Sequence, residues 1–270
     1  MPIISSASLT DIGRKRAVNE DACLIDDTLG LYVVSDGMGG HRAGEVASRI
    51  VVDALHTFMA ASPSDNALEN SRKALSPDAG RLLAGIHNAH MMINEKEAQN
   101  TMYKGMGATV SAVFFSGEHT FVAANVGDSP IYLVREDRIE MISVLHTVRA
   151  EYEKLSKEGT KPSREIFRHM LTRAMGGDRD HRADIREIQY LEGDRVVICS
   201  DGLSEKVEPF EIREMVLKHP PSMSCRHLVD IANHRGGDDN ITVIVLELTS
   251  PNRLKRLSNR LKSGFRKFLS

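Results

Sequence analysis

TVSAVFFSGEHTFVAANVGDSPIYLVREDRIEMI, residues 109–142, is the stretch that decides the fold. Four short apolar, β-rich segments follow one another here: TVSAVFF, TFVAAN, PIYLV and RIEMI. Only brief polar connections separate them. A parallel crossover needs a dozen or more residues, so these neighbours are antiparallel. Upstream, ACLI and LYVVS, joined by residues 26–30, read as a further hairpin. Ala47, Ile50, Val51, Ala54, Leu55 and Phe58 then recur at helical spacing and make one apolar stripe. Residues 61–76 lose that rhythm and read as a loop. Ser76 before Pro77 opens a second helix marked by Leu82, Leu83, Ile86, Ala89 and Ile93.

Downstream, a helical stretch is expected over roughly 148–174, with a break near Gly159 and Pro162. Strands follow at about 184–190 and 195–199, then helices near 208–218 and 222–234, then a closing strand, ITVIVLEL. This order lacks the regular βαβα alternation of a doubly wound parallel sheet. It predicts an α+β sandwich with antiparallel sheets whose faces are covered by helix pairs. No domain-sized linker precedes residue 250, so residues 1–250 read as one domain and 251–270 as a tail.

Composition excludes several functions. The 270 residues are 41% hydrophobic, enough for a sizeable core, and 27% charged. There is no tryptophan and only 5% aromatic residues, which argues against a base-stacking nucleic-acid platform. Cys23, Cys199 and Cys225 are scattered without CxxC or Cys/His ligand spacing and read as reduced thiols. The N-terminus lacks the pattern of a signal peptide, and the longest apolar runs are of strand length. A cytoplasmic monomer is expected. The formal net charge of −2 conceals an asymmetry. Seven basic and no acidic residues fall within 253–267, leaving 28 basic against 37 acidic residues elsewhere.

Acidic residues recur at strand boundaries. YVVSDG ends at Gly37 and VVICSDG at Gly202, each an apolar run closed by Ser-Asp-Gly. FVAANVGDS carries Asp128, and RGGDDNITV places Asp238 and Asp239 before the last strand. RAVNEDA places Glu20 and Asp21 before ACLI. Asp-Gly alone is a common turn dipeptide. Several acids at the ends of different strands are another matter, because they could meet at one sheet edge. Clustered carboxylates raise one another's pKa unless cations neutralise them. Hard divalent ions with oxygen ligands, Mg²⁺ or Mn²⁺, fit that need. Other readings of the glycines fail: Gly40-His41-Arg42 does not complete a P-loop, and neither the dinucleotide-binding nor the EF-hand pattern is present.

Seven motifs then agree in order: RAVNED (16–21), DGMGGHRAGE (36–45), GMGAT (105–109), NVGDS (125–129), LTRAMGG (171–177), CSDGL (199–203) and GDDNIT (237–242). Together they resemble the bacterial metal-dependent Ser/Thr protein phosphatases of the protein phosphatase 2C type, over about residues 5–248. The resemblance implies a four-layer αββα sandwich with a metal site at one end. It implies that Asp36 bridges two Mn²⁺ or Mg²⁺ ions, that Gly37 offers a backbone carbonyl, and that Asp201 and Asp239 are ligands. Glu20 and Asp21 would hold nearby waters or act as ligands, and Asp128 with Asp201 would hold a third, weaker ion. Arg16 would grip the substrate phosphate. Thr109 and Asn240 would be structural. A metal-bridging hydroxide would attack the phosphorus of phosphoserine or phosphothreonine directly, opposing a bacterial Ser/Thr kinase.

Two positions depart from the family pattern. Met38 follows Asp36-Gly37 where many eukaryotic relatives have histidine, and His41 is expected only to brace the glycine turn. Leu145-His146-Thr147 stands where the family has Asp-His-Ser, beside the segment at 148–170 that corresponds to a mobile flap. In the tail, Leu254, Leu257, Leu261, Phe265 and Phe268 share a helical face among the cations of residues 253–268. That pattern suits either peripheral contact with the inner membrane or an acidic partner, or a frayed, solvated terminus.

Overall fold

The structure is a computed structural model. It describes residues 2–40, 43–61, 75–115, 117, 119–155 and 170–249. The expected tail, His41 and most of the flap segment lie outside these residues. Eleven strands are present among the described residues: β1 (Ile3–Asp11), β2 (Asp21–Asp26), β3 (Leu31–Met38), β4 (Gly107–Ala108), β5 (Val110–Phe114), β6 (Thr120–Val126), β7 (Ile131–Arg135), β8 (Arg138–Met141), β9 (Asp184–Gln189), β10 (Arg195–Cys199) and β11 (Ile241–Thr249). The α-helices are α1 (Ala43–Ala60), α2 (Pro77–Gln99), α3 (Val148–Leu155), α4 (Asp201–Ser204), α5 (Pro209–Lys218) and α6 (Pro221–His234).

One sheet has the order β1-β11-β10-β7-β8, the other β2-β3-β5-β6-β9 with β4 against β3. Every strand pairing is antiparallel, as the short connections of residues 109–142 require. The long apolar runs are explained by burial on both faces. Tyr32 and Val34 of β3 pack between the sheets with Ile198 of β10 and Ile244 of β11. Their neighbours turn outward: Val33 joins Val51, Leu55 and Ile86 under α1 and α2. Val197, Val243 and Val245 meet Ile212, Val216 and Leu228 under α5 and α6. Three apolar layers therefore hold four structural layers together. Each fully buried aliphatic side chain contributes on the order of 1.5–3 kcal/mol.

Two expectations are corrected. The helical stretch over 148–174 is helical only for Val148–Leu155 among the described residues. Residues 171–175 are not helical: Leu171 and Met175 form isolated bridges with Thr147 and Ala108. The hairpin strand at residue 21 is also not the first. β1 precedes it as an edge strand, in register with β11 from Ile3↔Thr249 to Asp11↔Ile241. The three cysteines are free, as expected.

Candidate active site

Antiparallel pairing of β2 with β3 sets Asp21 opposite Asp36. Asp36 lies within β3 rather than after it. Its N–H donates to Thr109 Oγ1 at 2.9 Å, and Thr109 N–H returns a bond to its carbonyl at 2.8 Å. The Thr109 hydroxyl lies 2.8 Å from that of Ser129, next to Asp128. Asn240 ties another pair of segments. Its Oδ1 accepts from Glu20 N–H at 2.8 Å, and its Nδ2 donates to the carbonyls of Ile12 and Val18. Both residues are buried, so the structural roles expected of them are met by named bonds. Ser200 closes the frame: it donates to Asp21 Oδ2 at 2.8 Å and accepts from Thr242 N–H at 3.0 Å.

These braces gather the acids around a cavity of about 520 Å³. Arg16, Glu20, Asp36, Gly37, Asp128, Asp201 and Asp239 all line it, and Asp21 sits beneath them, nearly buried. Met38, not a histidine, follows Gly37 in the wall. Arg16 Nη2 lies 2.6 Å from Asp239 Oδ2, so the guanidinium is engaged by an acid of the site. Arg173 and Arg179 also line the cavity. Arg173 lies within the LTRAMGG motif and Arg179 two residues beyond it, and neither carries an expected role. No strand-end signal marks them, since they belong to a loop fixed by tertiary bonds.

The electrostatics are those of crowded carboxylates. Burial, then repulsion from Asp21, Asp201, Asp128 and Asp239, holds the Asp36 carboxyl well above the usual carboxylate range. Burial pushes Asp21 up to about 7, with Asp201 and Asp239 adding to it. Burial and Asp201 push Asp128 up to about 8. Such a cluster calls for cations.

The residues present fit divalent metal ions. Glu20 Oε1 and Asp21 Oδ1 are buried with no hydrogen-bond partner. A side chain at Gly44 would overlap Glu20 Oε1 and come within 2.7 Å of the Gly37 carbonyl oxygen, so glycine keeps both oxygens approachable. The donors are all hard oxygens, the set that Mg²⁺ and Mn²⁺ prefer. Among the described residues no three acidic, histidine or cysteine side chains close on one point. The acids thus line a cavity rather than form a closed cage for a single ion.

Two antiparallel sheets between helix pairs, with an acid-lined cavity at one end, define an α+β sandwich with a candidate metal site. Comparison with known proteins assigns the family. A family model described as protein phosphatase 2C matches residues 12–235, and the chain belongs to that family. It is 30% identical over 251 residues to the serine/threonine protein phosphatase PstP of Mycobacterium tuberculosis, covering 91% of this chain and 45% of PstP. The chain thus spans about half the length of that relative. It is 31% identical to the serine/threonine phosphatase stp of Listeria innocua over 88% of this chain and 93% of that protein. The crystal structure of the PstP catalytic domain in complex with two manganese ions superposes with a TM-score of 0.78 at 28% identity, covering 93% of this chain and all of that one.

Proposed function

We propose that this chain is a metal-dependent phosphatase that hydrolyses phosphoserine and phosphothreonine in proteins. The observation that carries the proposal is the gathering of Asp36, Asp128, Asp201 and Asp239 around one cavity, with Asp21 set opposite Asp36. Asp36, Asp201 and Asp239 hold two Mn²⁺ or Mg²⁺ ions, with Glu20 and Asp21 close by and the Gly37 carbonyl as a further donor. Asp128 and Asp201 hold a third, weaker ion. When bound, divalent cations offset charge on the phosphoryl oxygens and lower the pKa of water toward neutrality.

The chain's own residues do the rest. Thr109, Asn240 and Ser200 hold the acids in place before substrate arrives, so little reorganisation is needed during reaction. Arg16 stands in the wall with a planar fork suited to phosphate oxygens. The substrates are phosphorylated proteins, and the natural counterpart is a bacterial Ser/Thr kinase. Among the described residues no helix is long and apolar enough to cross a membrane. Residues 1–250 act as the catalytic domain, and the basic residues of 253–268 provide peripheral contact with anionic lipid or an acidic partner.

Hydrolysis of a phosphothreonine peptide tests this reading. Turnover is expected with Mn²⁺ and is abolished by EDTA. Metal ligation supplies several kcal/mol, so Asp201→Asn is expected to lower kcat on the order of 100-fold or more. Turnover that persists in EDTA would overturn the assignment.

A further inference from the structure

His146 is nearly buried and lies outside the acid ring, yet its ring and backbone both grip residue 127. Gly127 N–H donates to His146 Nδ1 at 3.0 Å, and His146 N–H donates to the Gly127 carbonyl at 3.0 Å. Gly127 has φ +106°, and a side chain there would press within 2.7 Å of Thr109 Cβ. Residue 127 is therefore held from two sides, and the next residue is Asp128 of the cavity wall.

The other ring nitrogen decides whether this grip works. His146 Nε2 lies 2.6 Å from Asp184 Oδ2. A carboxylate oxygen only accepts, so Nε2 carries the proton. Nδ1 is then a bare lone pair, as an amide donor requires. Arg173 Nη1 lies 3.0 Å from the same carboxylate oxygen and 3.3 Å from Nε2, so it anchors Asp184 without competing for Nδ1. Burial lowers the pKa of His146, which favours the neutral ring this arrangement needs. With the wrong proton placement, Nδ1–H would face Gly127 N–H and the grip would become a donor–donor clash.

We propose that His146 is a positioning residue for Asp128: Asp184 fixes the imidazole as its Nε2–H tautomer, and the Nδ1 lone pair clamps the Gly127 amide so that the Asp128 carboxylate is set to receive a divalent cation. This rests on the reading of Asp128 as an acid of the weaker metal site. Partners one step removed from a metal ligand tune affinity by about 10–100-fold.

The test is calorimetric titration of the full chain with Mn²⁺, with ¹⁵N NMR of the histidine rings to read the tautomer. Asp184→Ala, at a half-buried side chain, is expected to weaken the weakest Mn²⁺ site about tenfold. The tighter ions should bind as in the parent chain, and His146 should shift toward Nδ1–H. His146→Ala should weaken the same site. His146→Asn should restore it, because the amide oxygen takes the place of Nδ1. Unchanged weak-site affinity in Asp184→Ala, or equal losses in His146→Asn and His146→Ala, would overturn the clamp. Asp128→Asn separates the two readings. If it alone weakens the site, the metal role stands and the clamp fails; if it titrates like the parent chain, both fail.

Discussion

Gly37 has no room for a side chain. A Cβ there would overlap the Gly44 carbonyl and come 2.7 Å from the Glu20 carbonyl, and both are backbone atoms that cannot swing aside. Gly37→Ala must therefore push α1 away from β3 at the acid end. Overpacking of this kind costs about 1–3 kcal/mol. A lower melting temperature and weaker Mn²⁺ binding are expected together; a variant that melts with the parent chain would show that the contact yields freely. At this scale much of the site was legible. Asp36, Asp201 and Asp239 announce themselves at the boundaries of apolar strands. Arg173 does not, because what makes it part of the site is its bond to Asp184, eleven residues away, within a loop of no regular pattern.

Among the elements, α2 declared itself best. α2 begins where Ser76 and Pro77 predict, and the Ser76 hydroxyl accepts from Ala79 N–H at 3.2 Å. Ser76→Ala removes that cap and is expected to cost about 1 kcal/mol, read by urea denaturation, with activity unchanged. An undiminished midpoint would mean that Pro77 alone fixes the helix start. The misread stretch at 148–174 has a physical cause. Its composition suits a helix, and α3 does start there, with Thr147 Oγ1 accepting from Ala150 N–H at 3.1 Å. Backbone bonds from Thr172 to His146 and between Met175 and Ala108 then tie residues 171–175 down outside any helix. β1 was missed for the opposite reason. Its serine-rich sequence carries little apolar signal, and only its partner β11 defines it as a strand.

The whole molecule couples stability to its acid end. With metal removed, the folded chain keeps protons on Asp21, at about 7, and on Asp128, at about 8. The unfolded chain would release them near the ordinary value of ~4. The folded state then binds more protons, so stability falls as pH rises. His90 opposes this: burial, then His181 and His87, lowers it to about 4, so its stabilising effect grows with pH only up to the ordinary imidazole value of ~6.5. From pH 6.5 to 8 the acids govern. In EDTA the melting temperature is expected to fall across that window, and Mn²⁺ should flatten or reverse the fall. A melting temperature that rises with pH in EDTA would contradict the charge assignment.

The nine-residue pairing of β1 with β11 brings residues 3–11 beside residues 241–249. β11 is also the only strand joining β1 to β10 in that sheet, and Asn240 just before it holds the Glu20 amide. Asp239 and Asn240 stand directly before β11, so the acid ring is complete only once residues 241–249 pair with β1 and β10. Such distant pairing is slow to form. An unfinished polypeptide therefore lacks a complete acid ring, and its first strand lacks its partner until β11 has been made.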